Sequence, residues 1–355
     1  MPINCKLGWD VFFTNRVEYS GLTAHKTFQS SESVTNSLYY IHLCSFIDVS
    51  SDFGAAILIV ANHKYVQMLV EDSMFIRCRS TGSYSHGGAV RYAGNYGQVS
   101  FNRVCAESCY TTTTSSGGNN GQFMYSIPGK GKMYQNSVHF SSFSKCGSTI
   151  SGFNRGDDRQ STIYLYFGNQ TVNSVNMSKN VCNQHSSIYF RGIYNASEDD
   201  DNSHFNYMKF STIANNVDNL YENIYFSDGR KYFMENCNII SNSQYSADRG
   251  FIYIHGTIQI NKCYFVGNTG YTNIFSAHNV PLIIIINLCT DRTEAINADN
   301  TVGVVHELTY TTLSHIAKNG CQQELPYTRI KQQMSCKVHN DRLLPFDGFW
   351  VPKLH

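Results

Sequence analysis

A short apolar pattern recurs along the chain, in which a tyrosine often stands between two hydrophobic residues. The eight copies are about 31 residues apart on average, with spacings between 22 and 39 residues. A fixed local pattern at a loose spacing indicates a constant strand that is followed by loops of variable length. The copies contain Ile57, Val90, Met124, Ile163-Tyr164-Leu165, Ile188-Tyr189-Phe190, Ile224-Tyr225-Phe226, Ile252-Tyr253-Ile254 and Ile274.

Each unit holds a second, alternating element after a polar turn. In the clearest unit, Ile258 and Ile260 fall on one side of the chain, and Cys263 and Phe265 follow after a shift of phase. A period of two residues is that of a strand and not of a helix. We therefore expect about two or three short strands in each unit, joined by turns rich in Gly, Asn and Ser.

These units predict an all-β fold, a right-handed parallel β-helix with irregular terminal caps. Leucine-rich repeats lack support because no regular Leu spacing occurs, and propeller blades are longer and carry recurring Trp or His marks. A Greek-key sandwich gives no reason for one motif to recur eight times. In a β-helix the coils stack at the interstrand spacing, so inward residues form ladders and Asn can stack on Asn at turns. The crossover rule for parallel strands predicts the right-handed sense.

The motif is confined to the middle of the chain, which suggests three segments. We expect an N-terminal cap or incomplete coil over 1–34, the β-helix over 35–290, and a C-terminal cap or irregular tail over 291–355. Solenoids need covered ends, which favours caps at both termini. Long insertions are expected at Thr111–Asn120 and at Asn195–Ser203.

The composition narrows the classes of function. Only 15% of the residues are charged and the net charge is +1, so a nucleic-acid partner is not expected. The longest aliphatic run, Leu282 to Ile286, is far shorter than the ~20 residues of a spanning helix. No signal peptide is evident, which leaves a cytoplasmic location open on the sequence alone.

Twelve cysteines are spread along the chain without CxxC pairs, so we do not expect a zinc site. We expect most of them to be small buried residues, about one per repeat. An even number also permits disulfides in an oxidising compartment, and the sequence does not decide between the two states. The positions are Cys5, Cys44, Cys78, Cys105, Cys109, Cys146, Cys182, Cys237, Cys263, Cys289, Cys321 and Cys336.

Over about residues 50–290 the chain resembles the repeats of polymorphic outer-membrane proteins. Gly87-Gly88-Ala89-Val90 matches their Gly-Gly-Ala-aliphatic signature, and Phe265-Val266-Gly267-Asn268 matches their FxxN signature. Ile239 to Asn242 and Phe75 to Cys78 look like weaker variants of FxxN. The chain is also similar to the surface β-helix families of parasitic protists. The resemblance implies a pectin-lyase-like β-helix, a cell-surface or extracellular location and an adhesion role, without catalytic residues.

The main alternative is a polysaccharide lyase or glycoside hydrolase of the same fold. Its candidate residues are Asp157 and Asp158, as paired carboxylates, and the substrate-binding tripeptide Arg329-Ile330-Lys331. The Asn-Thr-Asp and Gly-His-Gly motifs of the pectin hydrolases are absent. The acidic run Glu198–Asp201 lacks the spacing of a calcium loop, so we predict an exposed loop there. We assign no catalytic residue, metal or cofactor, and lean towards a protein that is not an enzyme.

The predicted binding site is a tyrosine ladder. Tyr164, Tyr189, Tyr225 and Tyr253 hold the same place in successive units, so they should form one outward column if the preceding isoleucines point inward. An exposed column of Tyr suits a glycan or a protein partner. Arg191 would supply polar contacts at the rim, as would Arg230 and Arg249. The same tyrosines could instead only stabilise the sheet.

The function predicted from the sequence is therefore non-enzymatic binding of a glycan or a protein through a Tyr- and Asn-rich sheet face. An enzyme acting on polysaccharides and an intracellular structural scaffold stay open as alternatives. The oligomeric state is not predicted.

Overall fold

The fold is described from a computed structural model of the chain. It divides into two compact units, Met1–Gln322 and Gln323–His355, and every described residue lies in the first. The described residues are 17–23, 26–29, 36–83, 85–112, 119–129, 134–147, 159–182, 187–192, 205–219, 221–227, 231–245, 250–277, 282–286, 288–291 and 301–303.

The described residues form strands, numbered β1 to β35 along the chain, and no helix. Two rows of parallel strands make up the largest sheet, and the long strands β6 (Ile57–Glu71) and β9 (Val90–Asn102) run through both rows. The first row also contains β2 (Lys26–Gln29), β13 (Met124–Ile127), β17 (Ile163–Tyr166), β21 (Ile188–Arg191), β25 (Ile224–Ser227), β29 (Ile252–Ile254) and β32 (Phe275–Ala277). The second row also contains β1 (Val17–Ser20), β3 (Asn36–His42), β14 (Gln135–His139), β18 (Asn169–Asn173), β22 (Phe205–Lys209), β26 (Lys231–Glu235), β30 (Thr257–Asn261), β33 (Leu282–Ile285) and β35 (Thr301–Gly303).

A third row forms a separate parallel sheet, and shorter strands follow it in several coils. The third row is β4 (Ser45–Ile47), β7 (Met74–Ile76), β10 (Cys105–Glu107), β15 (Ser142–Ser144), β19 (Asn176–Ser178), β23 (Thr212–Ala214), β27 (Asn238–Ile240), β31 (Cys263–Val266) and β34 (Leu288–Thr290). The short strands are β5 (Ser50–Ser51), β8 (Arg79–Ser80), β11 (Tyr110–Thr111), β12 (Asn119–Asn120), β16 (Arg159–Gln160), β20 (Val181–Cys182), β24 (Val217–Asp218) and β28 (Ser243–Gln244).

The protein is an all-β parallel β-helix, as the repeat predicts. Each strand pairs in parallel with its equivalent one coil away, for example Ile163 with Ile188 and Ile188 with Ile224. The predicted change of phase is confirmed as well, since Lys262 has a φ of 51° between inward Ile260 and inward Cys263. The right-handed sense and the boundaries at residues 34 and 290 stay predictions.

Two corners of the coil are each made by one residue in the left-handed conformation. The corner between the second and third rows, here called the first corner, is occupied by Arg103, Phe140, Ser174 and Phe210 in successive coils. The second corner, which ends the third row, is occupied by Lys145 and Lys179 among others. Because this conformation costs a residue with a Cβ about 1 kcal/mol or more, the packing of the coil must hold it in place.

A buried asparagine ladder stabilises the second corner, and it confirms the predicted stacking of Asn on Asn. The ladder is Asn180, Asn216, Asn242 and Asn268, one residue after the corner in four successive coils. Each Oδ1 accepts a backbone N–H from the preceding coil at 2.8–3.0 Å, beginning with the N–H of Cys146. Each Nδ2 donates to a carbonyl of the preceding coil at 2.7–3.2 Å, so the amides leave few buried groups unpaired.

The cysteines among the described residues mostly fill equivalent buried positions, as predicted. Cys78, Cys109 and Cys146 precede the asparagines at the ladder position, and all three are buried free thiols. Cys237 and Cys263 lie just after the first corner in adjacent coils. Burial raises the pKa of the Cys263 thiol well above its usual value, so it is protonated and unreactive.

Candidate functional site

The predicted tyrosine ladder exists and is longer than expected. We call Tyr125, Tyr164, Tyr189, Tyr225 and Tyr253 the tyrosine column; they are paired in register in five successive coils. Adjacent ring centroids are 5.2, 4.4, 4.6 and 4.6 Å apart, and the last three pairs are within 8° of parallel. The rings therefore stack face to face along the solenoid.

The expected exposure of this column is wrong for its middle. Tyr164 is 4% exposed and Tyr189 is 7% exposed, whereas Tyr225 and Tyr253 are half-buried. The physical reason is the close coil spacing, because each ring covers the faces of its two neighbours and Tyr166 packs beside them. Stacked rings present mainly their edges, so Tyr164 and Tyr189 offer little surface to a partner. A binding role for the column stays a prediction.

The rim of the column contains Arg191, as the sequence suggested. Its guanidinium carbon lies 4.6 Å from the ring centroid of Tyr166. Burial alone would lower the pKa of Arg191, but the neighbouring tyrosines raise it above its usual value. Burial also raises the pKa of Tyr164 and Tyr189, and it raises the pKa of Tyr125 to about 12. These hydroxyls are therefore protonated at neutral pH. The other predicted rim residues, Arg230 and Arg249, lie outside the described residues.

One end of the column is closed by a histidine. The His86 ring stacks on Tyr125 with 4.4 Å between centroids. Burial, with a smaller contribution from the positive charge of Arg91, lowers the pKa of His86 to about 4. A neutral ring therefore caps the stack at physiological pH.

A second surface, which the repeat analysis did not identify as a site, lies on the third row of strands. We call the outward residues of β15, β19 and β23 the serine face. The inward residues between them, Phe143, Met177 and Ile213, are fully buried in the core. The serine face contains no large side chain, and its members are Ser142, Ser144, Asn176, Ser178, Thr212 and Ala214.

Aromatic residues flank the serine face at the first corner. Phe140 and Phe210 have φ angles of 49° and 48°, and they are 53% and 39% exposed. They are two coils apart, at about 10 Å for two interstrand spacings, with Ser174 between them. Among the described residues, the ring nearest to Phe140 is that of His139 at 6.5 Å, and Phe210 has no ring contact. Unlike the tyrosines, these two rings keep their faces free.

Lysines flank the same face at the second corner. Lys145 and Lys179 occupy it in adjacent coils and are exposed. Lys145 pairs with Glu107 of the preceding coil at 2.7 Å, and no ion pair of Lys179 occurs among the described residues. The three chain segments that form the face and its rims, 140–145, 174–179 and 210–215, contain two lysines and no carboxylate.

The FxxN motif is a sequence signal for this face, although above it supports only the family resemblance. FxxN describes an inward residue, an outward residue, the corner residue and the ladder residue. Allowing any apolar residue first and Cys last extends it to Phe143–Cys146, Met177–Asn180 and Ile213–Asn216. Aligning the chain on that relaxed pattern would have placed Phe140, Phe210 and both lysines on the edges of one face.

Two adjacent buried carboxylates, Glu71 and Asp72, are engaged in a structural cluster. Arg103 contacts Asp72 at 2.7 Å and Glu71 at 2.7 Å, and Glu71 also accepts the Tyr40 hydroxyl at 2.6 Å. Both acids are less than 10% exposed. Since their oxygens already accept from Arg103, Asn102 and Tyr40, they have little capacity for acid–base chemistry.

The other candidates from the sequence lie outside the described residues. They are Asp157, Asp158, Glu198–Asp201 and Arg329–Lys331. Within the described ranges, no group of three or more His, Cys, Asp and Glu side chains is arranged to hold a metal ion. The same ranges contain no helix with the length and apolar character needed to cross a membrane.

No family model, curated protein or solved structure matches the chain. The parallel stacked-repeat architecture therefore rests on the strand pairing itself, and no match supports the polymorphic outer-membrane-protein resemblance.

Proposed function

We propose that the protein is a non-enzymatic, adhesion-type β-helix that binds its partner through the serine face. The observation that carries this proposal is the placement of Phe140 and Phe210, exposed and in the left-handed conformation, on one rim of that face. The candidate partners remain those expected from the sequence, a glycan or a protein.

The fold does not require a phenylalanine at either position. The first corner needs a left-handed residue in every coil, and other coils use Asp72, Arg103, Ser174 and Asn236 there. Phe is a poor choice, because a bulky residue is strained in this conformation and an exposed ring gains little from burial. Two such residues on the same edge favour a contact with something outside the described chain.

The serine face also suits binding better than the tyrosine column does. The column uses its ring faces for internal stacking, whereas Phe140 and Phe210 keep theirs. Small hydroxyl and amide side chains between the rims lose little conformational entropy when a partner docks. The binding surface is therefore proposed to lie on the third row of strands.

A cell-surface or extracellular location is part of this proposal. The resemblance of Gly87 to Val90 and Phe265 to Asn268 to polymorphic outer-membrane-protein repeats supports it. The buried free thiols are compatible with either compartment, because burial protects them from oxidation.

The test is a binding comparison on glycan arrays and intact cells. The double variant Phe140→Asn/Phe210→Asn is expected to lose at least tenfold in affinity while its melting temperature stays the same or rises. Tyr245→Ser is the matched control, since Tyr245 is 76% exposed and lies away from the face. Wild-type binding by the double variant would refute the proposal.

A further inference from the structure

The two rims of the serine face differ in chemistry, and this difference points to a class of ligand. One rim offers two aromatic rings about 10 Å apart, and the other offers two lysines in adjacent coils. The rims are five residues apart along the chain, which is at most about 17 Å at full extension. A ligand that spans the face would meet apolar rings on one side and positive charge on the other.

The aromatic rim suits a cyclic, partly apolar ligand group. Ser174 leaves a gap between Phe140 and Phe210, so a flat group can lie against a free ring face. Sugar rings have C–H faces that pack on aromatic rings, while their hydroxyls point sideways. The repeat of two coils lets a polymer with regularly spaced rings contact both phenylalanines.

The floor of the face suits a ligand that carries many hydroxyl groups. Ser142, Ser178 and Thr212 are half-buried, and each can donate and accept a hydrogen bond. A floor of short side chains also lets a ligand approach the sheet closely. An apolar peptide surface would leave these hydroxyls unpaired, which costs binding free energy.

The lysine rim suits a negative charge. Lys145 and Lys179 are exposed, and the segments of the face contain no carboxylate of their own. Glu107 pairs with Lys145, so Lys179 is the cation with the greater capacity for a new partner. The chain as a whole carries a net charge of only +1, so attraction of an anion here is local.

We propose that the serine face binds an acidic glycan along the solenoid, with sugar rings against Phe140 and Phe210 and acid groups at Lys145 and Lys179. This inference rests on the proposed binding function and adds the ligand class. Two lysines are too few for the multiple phosphate contacts that hold a nucleic acid, which is why a glycan is favoured.

Three polymers separate the contributions of sugar and charge. Dextran sulfate carries both, dextran carries the sugar alone, and polyglutamate carries the charge alone. We expect the wild-type protein to bind dextran sulfate at least tenfold more tightly than either of the others, measured by biolayer interferometry. Equal affinity for polyglutamate would show attraction by charge only, and equal affinity for dextran would remove the role of the acid groups; either result overturns the proposal.

Variants then assign the contacts. Lys145→Gln/Lys179→Gln should weaken dextran sulfate binding at least tenfold, and Lys262→Gln, an exposed first-corner lysine away from the face, should not. If Phe140→Asn/Phe210→Asn weakens partner binding but the lysine variant does not, the acidic-glycan inference fails and the proposed function stands. If neither pair matters, both fail. Circular dichroism of each variant confirms that the β-structure is retained.

Discussion

The tyrosine column and the serine face use aromatic residues in opposite ways. In the column, rings occur in every coil, so centroids 4.4–5.2 Å apart stack and hide each other's faces. At the serine face, Phe140 and Phe210 skip one coil, and the gap at Ser174 keeps them from stacking. The spacing of a residue along the solenoid therefore decides whether it stabilises the sheet or stays available to a partner.

This comparison also shows why an outward direction does not imply exposure in a β-helix. Period two fixes which side of the sheet a residue takes. The stacking of coils about 4.8 Å apart then lets large neighbours bury one another on the outer side. Tyr189, which points away from the core, is therefore only 7% exposed.

The largest effect is expected from breaking the column in its middle. Tyr189→Ala removes a ring that stacks at 4.4 Å on one side and 4.6 Å on the other, so it should lower the free energy of unfolding by about 4 kcal/mol. Tyr253→Ala, at the half-buried end, should cost about 1–2 kcal/mol. Urea denaturation measures both. Equal losses at the two sites would contradict burial as the source of the stability.

The second-largest loss of stability is expected from the asparagine ladder, which supports the second corner at the edge of the serine face. Asn216→Ala leaves the Asn180 backbone N–H and the Met177 carbonyl without their partners, which should cost about 3 kcal/mol. Asn216→Cys should cost less, because Cys146 holds the equivalent position in an earlier coil. Thermal unfolding measures both variants. A harmless Asn216→Ala would show that the ladder does not stabilise this corner.

The fold was predictable because its cause is local and repeated. An isoleucine before each tyrosine, as at Ile163, Ile188 and Ile224, fixes the inward side, and parallel stacking follows from repetition. The left-handed corners were harder, since Phe140 and Phe210 lack the Gly or Asn that usually marks such a conformation. Packing of the whole coil, and not the local sequence, imposes that backbone.

The site was predictable only in part for the same reason. Period two placed Tyr164 and Tyr189 outward, but their burial depends on neighbours in other coils that are 25 and 36 residues away. The serine face is formed by three coils together. The loops of these coils differ in length, so the residues of the face have no fixed spacing in the sequence. Residues such as Phe140 and Lys179 meet on one face only after the coils are aligned.

A smaller effect on the free energy of unfolding is expected from pH, and each region contributes one histidine to it. Burial lowers the pKa of His86, on the column, and of His139, beside Phe140, to about 4. Since the unfolded value is about 6.5, the unfolded chain binds more protons in between, and stability falls as the pH drops from about 6.5 to about 4. This shift is worth about 3 kcal/mol in full, and the partial exposure of both rings reduces the expected loss of unfolding free energy to about 2 kcal/mol for each histidine.

The matched variants His86→Phe and His139→Phe keep a ring but cannot titrate. Each should remove its share of the pH dependence in denaturation curves between pH 7 and pH 4. Unchanged pH dependence in His86→Phe would contradict a half-buried, neutral cap on the column.

The smallest change in stability is expected from converting one region into the other. Ser174→Phe places a ring between Phe140 and Phe210, in a corner that already accepts Phe in the adjacent coils. Three rings in successive coils should stack as the tyrosines do. Each aromatic pair contributes about 0.5–1 kcal/mol, and this stabilisation offsets the strain of a bulky residue in the left-handed conformation. The net change in unfolding free energy should therefore lie within about 1 kcal/mol.

Binding should nevertheless fall at least tenfold, because the free ring faces disappear. Ser174→Asn, which suits the corner without adding a ring, is the control, and it should bind as the wild type does. Full binding by Ser174→Phe would mean that ring faces at this rim are not what the partner contacts.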